Sequence, residues 1–189
     1  MLIVAVMNGW SASSRRKETR TATLVREFLY GGGIEFKFLA RKSMLFMSRC
    51  RKFRRYIMKH NSSENELLIV GKSLGAHNLV VGVLNELPKL RYRRTAMLTI
   101  DPCWPLLNDW KPNLNSFTLL LRKDLGLAIN VYVESDDPDA QVGSRLGPAS
   151  PAIMNWPADG YDHYSIVNSE QVFEALVMTS RYVLEGRET

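Results

Sequence analysis

Short unbroken apolar runs alternate along this chain with stretches whose apolar residues return every three or four positions, a pattern that predicts strands and helices taken in turn. Leu2 to Met7 is continuously apolar and predicts a first strand, opening into Asn8-Gly9-Trp10-Ser11. Glu18 to Tyr30 reads as a helix, with Ala22, Val25, Phe28 and Leu29 near helical spacing, and Gly31-Gly32-Gly33 ends it. Ile34 to Leu39 alternates apolar and charged residues and predicts a second strand. From Ser43 to Lys59 a helix is expected, because Phe46, Cys50, Phe53 and Ile57 fall on one face and leave the basic residues outside.

The continuous Leu67-Leu68-Ile69-Val70 run predicts a strand buried on both faces, and a helix follows Ser73 to about Glu86, ended by Pro88. Thr95 to Ile100, Ile129 to Val133 and the short Ile153 to Trp156 read as further strands, and Ser169 to Leu184 as a closing helix. Residues 106–123 are compatible with a loop bearing a short helix or with a strand of their own. Strands alternating with helices predict an α/β fold, with a mostly parallel sheet of about five to six strands and helices on both faces. The pattern contains no internal repeat and no composition break, so residues 1–189 are expected to form one domain.

The centre of this pattern is Gly71-Lys72-Ser73-Leu74-Gly75, where the buried run passes directly into a helix. Gly-x-Ser-x-Gly at a strand-to-helix junction is the sequence form of a nucleophile elbow, a tight turn that lifts a serine hydroxyl above a parallel sheet. Gly71 and Gly75 flank the serine where side chains would meet the neighbouring strand and helix. Gly-Lys-Ser also ends the phosphate-binding loop, but that motif needs glycine at position 66, where the chain has Glu66.

In such a sheet, reactive groups collect at the carboxyl ends of the strands. Those ends supply Asn8-Gly9-Trp10, Ser73, Asp101, the cluster from Asp136 to Asp139, and His163. A serine hydroxyl needs an adjacent base, oriented in turn by a carboxylate. His163 lies after the last strand, where that base belongs. Asp101 follows the strand after the elbow helix, whereas Asp136 and Asp137 follow the next one; both positions suit the acid. His77, one helical turn past Ser73, reads as structural, and His60 as a surface or helix-end residue.

Three short segments carry a resemblance. Ser73-Leu74-Gly75-Ala76-His77, Ile100-Asp101-Pro102-Cys103-Trp104-Pro105 and Asp162-His163-Tyr164-Ser165-Ile166 resemble the elbow, acid and base segments of the lipases and esterases of the α/β-hydrolase superfamily. The resemblance implies Ser73 as nucleophile, Asp101 as acid and His163 as base, with Asp136 or Asp137 as alternative acids. Lys72 stands where such lipases usually have histidine or another residue. Two N–H donors should receive the oxyanion: that of Leu74, after the nucleophile, and one from the first-strand loop, Trp10 first and Gly9 next. The expected activity is hydrolysis of a carboxylic ester or thioester of a small or acylated substrate, with no cofactor and no metal. Acyl transfer to an alcohol or amine would use the same groups, and an inactive scaffold would keep the fold alone.

Charge adds a second theme. The net charge is +6, and Arg41, Lys42, Arg49, Arg51, Lys52, Arg54, Arg55 and Lys59 occur in one stretch without an acid. Such a block is either a solvated helix face or a surface for an anionic partner, such as nucleic acid or an anionic membrane. Two cysteines, Cys50 and Cys103, no recognised signal peptide and no apolar run near the roughly 20 residues of a membrane span give a cytoplasmic expectation.

Overall fold

A computed structural model describes residues 1–9, 19–42, 48–102, 121, 122, 124–134, 146, 147 and 153–185. Six strands, β1 (Leu2–Asn8), β2 (Phe36–Lys42), β3 (Glu66–Lys72), β4 (Arg94–Ile100), β5 (Leu127–Tyr132) and β6 (Ile153–Pro157), pair in parallel in the order β2-β1-β3-β4-β5-β6. The helices are α1 (Arg20–Gly31), α2 (Ser48–Lys59), the single-turn α3 (Leu74–Asn78), which runs on into a π-helical stretch at Leu79–Leu84, and α4 (Glu170–Leu184). This is an α/β fold, and the described sheet is entirely parallel. No helix among the described residues is long and apolar enough to cross a membrane.

Strand alternation sorts the core into two layers. Leu2, Val4 and Val6 of β1 and Leu68 and Val70 of β3 pack with Val25 and Leu29 of α1 and Val172 and Leu176 of α4. Ile3, Ala5, Leu67 and Ile69 point the other way, onto Phe53 and Ile57 of α2 and Leu79 and Val83 of the π-helical stretch. Because β1, β3, β4 and β5 are covered on both faces, their sequences are continuous apolar runs and not alternating ones. The edge strand β2 does alternate, with Lys37 exposed between half-buried Phe36 and Phe38. It begins two residues later than its pattern predicts. The amides of Gly32, Gly33 and Ile34 turn back to carbonyls at the end of α1, so Ile34 belongs to the helix cap. It also runs on to Lys42, paired with Asn8.

The predicted helix over 74–86 departs from α geometry halfway. The Asn85 amide bonds the Val80 carbonyl five residues back, the signature of π-helical winding. Arg122 closes its far end, donating to the carbonyls of Leu84, Leu87 and Pro88 at 2.5, 3.1 and 3.0 Å while pairing with Asp124. Glu66, the acid that breaks the phosphate-loop pattern, is buried at the start of β3 and paired with Arg93. A polar seam crosses the other half of the sheet. Thr99, Asn130 and Asn155 are register partners on β4, β5 and β6, and their side chains are linked at 2.7 and 3.0 Å. Asn155 then takes both backbone groups of Leu146, at 2.9 and 3.2 Å.

Candidate active site

The chain goes out from β1 to β2 and returns past β1 to β3, so the order of strands reverses between these two. At such a switch point the carboxyl ends of the neighbouring strands splay apart and leave a crevice. Gly9 follows β1 on one side of it and Ser73 follows β3 on the other. Asp101 follows β4 directly, and His163 arrives on the loop between β6 and α4.

Ser73 has φ 56° and ψ −137°, left-handed backbone that a non-glycine residue adopts only when its surroundings compel it. The compulsion comes from packing on both sides. A Cβ on Gly75 would lie 2.3 Å from the Met7 carbonyl oxygen, and one on Gly71 would lie 2.6 Å from the Ala76 Cα. The two glycines therefore allow β3, β1 and α3 to close around the serine. The Ser73 amide continues the sheet by bonding the Ile100 carbonyl at 2.9 Å, so the strain is confined to one residue. Asp101 shares the unusual backbone, with φ 47°, and its amide bonds the Val131 carbonyl at 2.7 Å.

These turns bring three side chains into a line. His163 Nε2 lies 2.9 Å from Ser73 Oγ, and its Nδ1 makes a close hydrogen bond to Asp101 Oδ2. The other carboxylate oxygen of Asp101 accepts the Val133 amide at 3.0 Å. A carboxylate has no hydrogen to give, so the Nδ1 proton belongs to the imidazole, and Nε2 is left to accept from the serine hydroxyl. Asp101 and His163 are buried, which shields their interaction from water. No family model and no curated protein matches this chain.

Asp162 organises the loop under His163. Its Oδ1 accepts the Ser165 amide, the Ser165 hydroxyl and the Tyr164 amide, at 2.6, 2.8 and 2.8 Å. Those donors hold the exposed carboxyl below its usual range, and the Ser165 amide contributes most. Ser165 Oγ in turn accepts the Asp162 amide at 3.0 Å. The segment Asp162-His163-Tyr164-Ser165 is thus an Asx-type turn with the histidine at its second position. Lys72, at the end of β3, donates from Nζ to the Tyr164 carbonyl at 3.3 Å. Neither polar clasp follows from residue spacing, although an Asp three residues before a Ser is a turn signal by itself.

Gly9 approaches the serine most closely from the side of β1. An added Cβ there would lie 2.6 Å from Ser73 Cβ, 2.8 Å from its Oγ and 3.4 Å from the Leu74 nitrogen. Only a residue without a side chain lets the end of β1 come this close to the serine and the Leu74 amide. Asn8, buried at the end of β1, donates from Nδ2 to Thr19 Oγ1 and ties that strand end to the start of α1. Trp10, Asp136 and Asp137 lie outside the described residues. His77 is buried one turn beyond Ser73, and burial pushes its pKa down to about 4. His60, half-buried, is lowered by burial and then by Lys37 and Lys59.

Of the basic stretch, Arg41 and Lys42 end β2 as register partners of Met7 and Asn8, and the rest of what is described lies on α2. Arg51, Lys52, Arg55 and Lys59 are exposed on α2, whose opposite face places Phe53 and Ile57 in the core. Arg54 is 3.7 Å from Glu86.

Proposed function

We propose that the chain is a serine hydrolase of the α/β-hydrolase type, cleaving carboxylic esters or thioesters through an acyl-enzyme. The observation that carries this reading is the imidazole of His163 set between the Ser73 hydroxyl and the buried Asp101 carboxylate. Asp101 is the acid in this reading. It holds the imidazole in the tautomer with Nε2 free to accept, and it stabilises the imidazolium once formed.

Ser73 Oγ attacks the acyl carbon as His163 Nε2 takes its proton. The developing oxyanion is received by the Leu74 amide as one donor and by an amide of the first-strand loop, Trp10 first and Gly9 next, as the other. His163 gives the proton to the leaving alkoxide or thiolate, and the acyl bond to it breaks. Water then replaces the leaving group. Nε2 removes its proton, its oxygen bonds to the acyl carbon, and Ser73 departs with the proton returned to Oγ.

The test is a fluorophosphonate probe with mapping of the modified residue, alongside turnover of p-nitrophenyl butyrate. Labelling is expected at Ser73, and Ser73→Ala should abolish both labelling and turnover while the thermal unfolding midpoint stays near wild type. A wild-type chain that neither labels nor turns over would favour an inactive scaffold. The exposed cations of α2 support a separable reading as a contact for an anionic partner, one that would weaken steeply with salt.

A further inference from the structure

We propose that Lys72 is a positioning residue that straps the loop of His163 to the strand of Ser73, acting chiefly while the serine is acylated. The inference rests on the hydrolase reading above and adds to it a residue that the motif leaves unassigned. Lys72 immediately precedes the nucleophile, and Tyr164, whose carbonyl accepts from Lys72 Nζ at 3.3 Å, immediately follows the base. The same two segments are therefore joined twice, by Ser73 to His163 and by their sequence neighbours.

Strand alternation gives Lys72 the parity of Leu68 and Val70, whose face is covered by α4. Ile166, which follows the His163 loop, packs in that same layer. The lysine thus meets the loop from the side on which the loop enters α4, a place suited to bracing it.

The two links differ in what turnover does to them. Once Ser73 Oγ carries an acyl group it has no hydrogen to donate, and Nε2 must accept from the incoming water instead. The direct link between the segments is then gone. The turn made by Asp162 fixes the internal shape of the loop but bonds only within it. Asp101 still holds Nδ1, which fixes one atom of the ring. The Lys72 bond to Tyr164 involves no atom that reacts, so it persists through acylation and keeps Nε2 aimed at the acyl carbon. The assisted step is the one in which the acyl–Oγ bond breaks, the water oxygen bonds to the acyl carbon, and the water proton passes by Nε2 to Oγ.

The experiment is pre-steady-state hydrolysis of p-nitrophenyl butyrate, whose good leaving group makes deacylation limit kcat, by wild type, Lys72→Met and Lys72→Arg. Lys72→Met should keep the burst rate and the rate of fluorophosphonate labelling at Ser73. Its kcat should fall about fivefold, the scale of one lost hydrogen bond, with KM falling in parallel so that kcat/KM is unchanged. Lys72→Arg retains a donor and should recover most of kcat. A Lys72→Met kcat equal to wild type would overturn the strap, as would a loss confined to kcat/KM or an arginine variant as slow as the methionine one. In each of those results the wild type still labels at Ser73, so the hydrolase reading survives. Absence of labelling in the wild type removes both together.

Discussion

Ser73 and His163 come to within 2.9 Å of one another from two differently built surroundings. The turn around Ser73 is shaped by exclusion: glycines at 71 and 75 let β1, β3 and α3 approach until a single added carbon would strike backbone. The loop around His163 is shaped by attraction. Asp162 collects three donors, Lys72 reaches the Tyr164 carbonyl, and Asp162 and Tyr164 are themselves exposed. The first kind of construction belongs to the core, and damage to it should unfold the chain. The second is superficial, and damage to it should move the imidazole while the fold stands.

Gly75→Ala tests the packed side and should have the largest effect. The new Cβ would fall 2.3 Å from the Met7 carbonyl oxygen, and relief requires moving the end of a central strand. Overpacking of this kind costs about 3 kcal/mol, to be read as a lower midpoint in urea unfolding. A variant with wild-type stability would show that β1 and α3 are not tightly opposed.

The packed side should also make the fold sensitive to acid. Burial holds the His77 pKa at about 4, against an ordinary 6.5. As pH falls below 6.5 the unfolded chain takes up a proton that the folded chain refuses until near 4, so stability is complete above that window and is lost through it. Between pH 7.5 and 5 the loss is about 2 kcal/mol. Urea midpoints measured at both pH values should show it, and His77→Gln should flatten the difference. If the glutamine variant loses as much as wild type, the effect originates elsewhere.

The smallest of these effects belongs to the loop. Asp162→Ala removes the acceptor of the turn, and kcat for p-nitrophenyl butyrate should drop about tenfold with the thermal midpoint nearly unchanged. Asp162→Asn, which makes the same turn, should restore most of it. A large fall in stability in the alanine variant would abolish the distinction between the two halves.

The same distinction explains what was legible in the sequence. Sterically built features demand particular residues: glycine at 71 and 75 marks the turn, and the uninterrupted run before it marks a strand covered on both faces. That Asp101 stands at a strand end is legible because it follows a buried strand directly, but its hydrogen bond to His163 is not, since strand-end acids such as Asp101, Asp136 and Asp137 look alike in sequence. Features made by distant polar bonds leave weaker traces. Lys72 and Tyr164 are 92 positions apart, and nothing about either residue type specifies the other. The π-helical winding at Leu79–Leu84 was equally hidden, because its apolar content suits an α-helix as well. The start of β2 departs from its pattern for a local reason: Ile34 alternates like a strand residue, yet its amide closes the preceding helix.

The line of polar side chains from the Thr99 hydroxyl through Asn130 to Asn155 constrains how β4, β5 and β6 can be assembled. Sliding β5 along its neighbours by a single residue would turn Asn130 to the opposite surface, sever both links at once and bury an amide among hydrocarbon. Aliphatic contacts alone would tolerate such a slip far better, since one branched side chain replaces another with little penalty. The three polar residues thus work as an alignment key for the strands flanking the Asp101 turn. The height at which that carboxylate emerges is determined two residues earlier, in the interior.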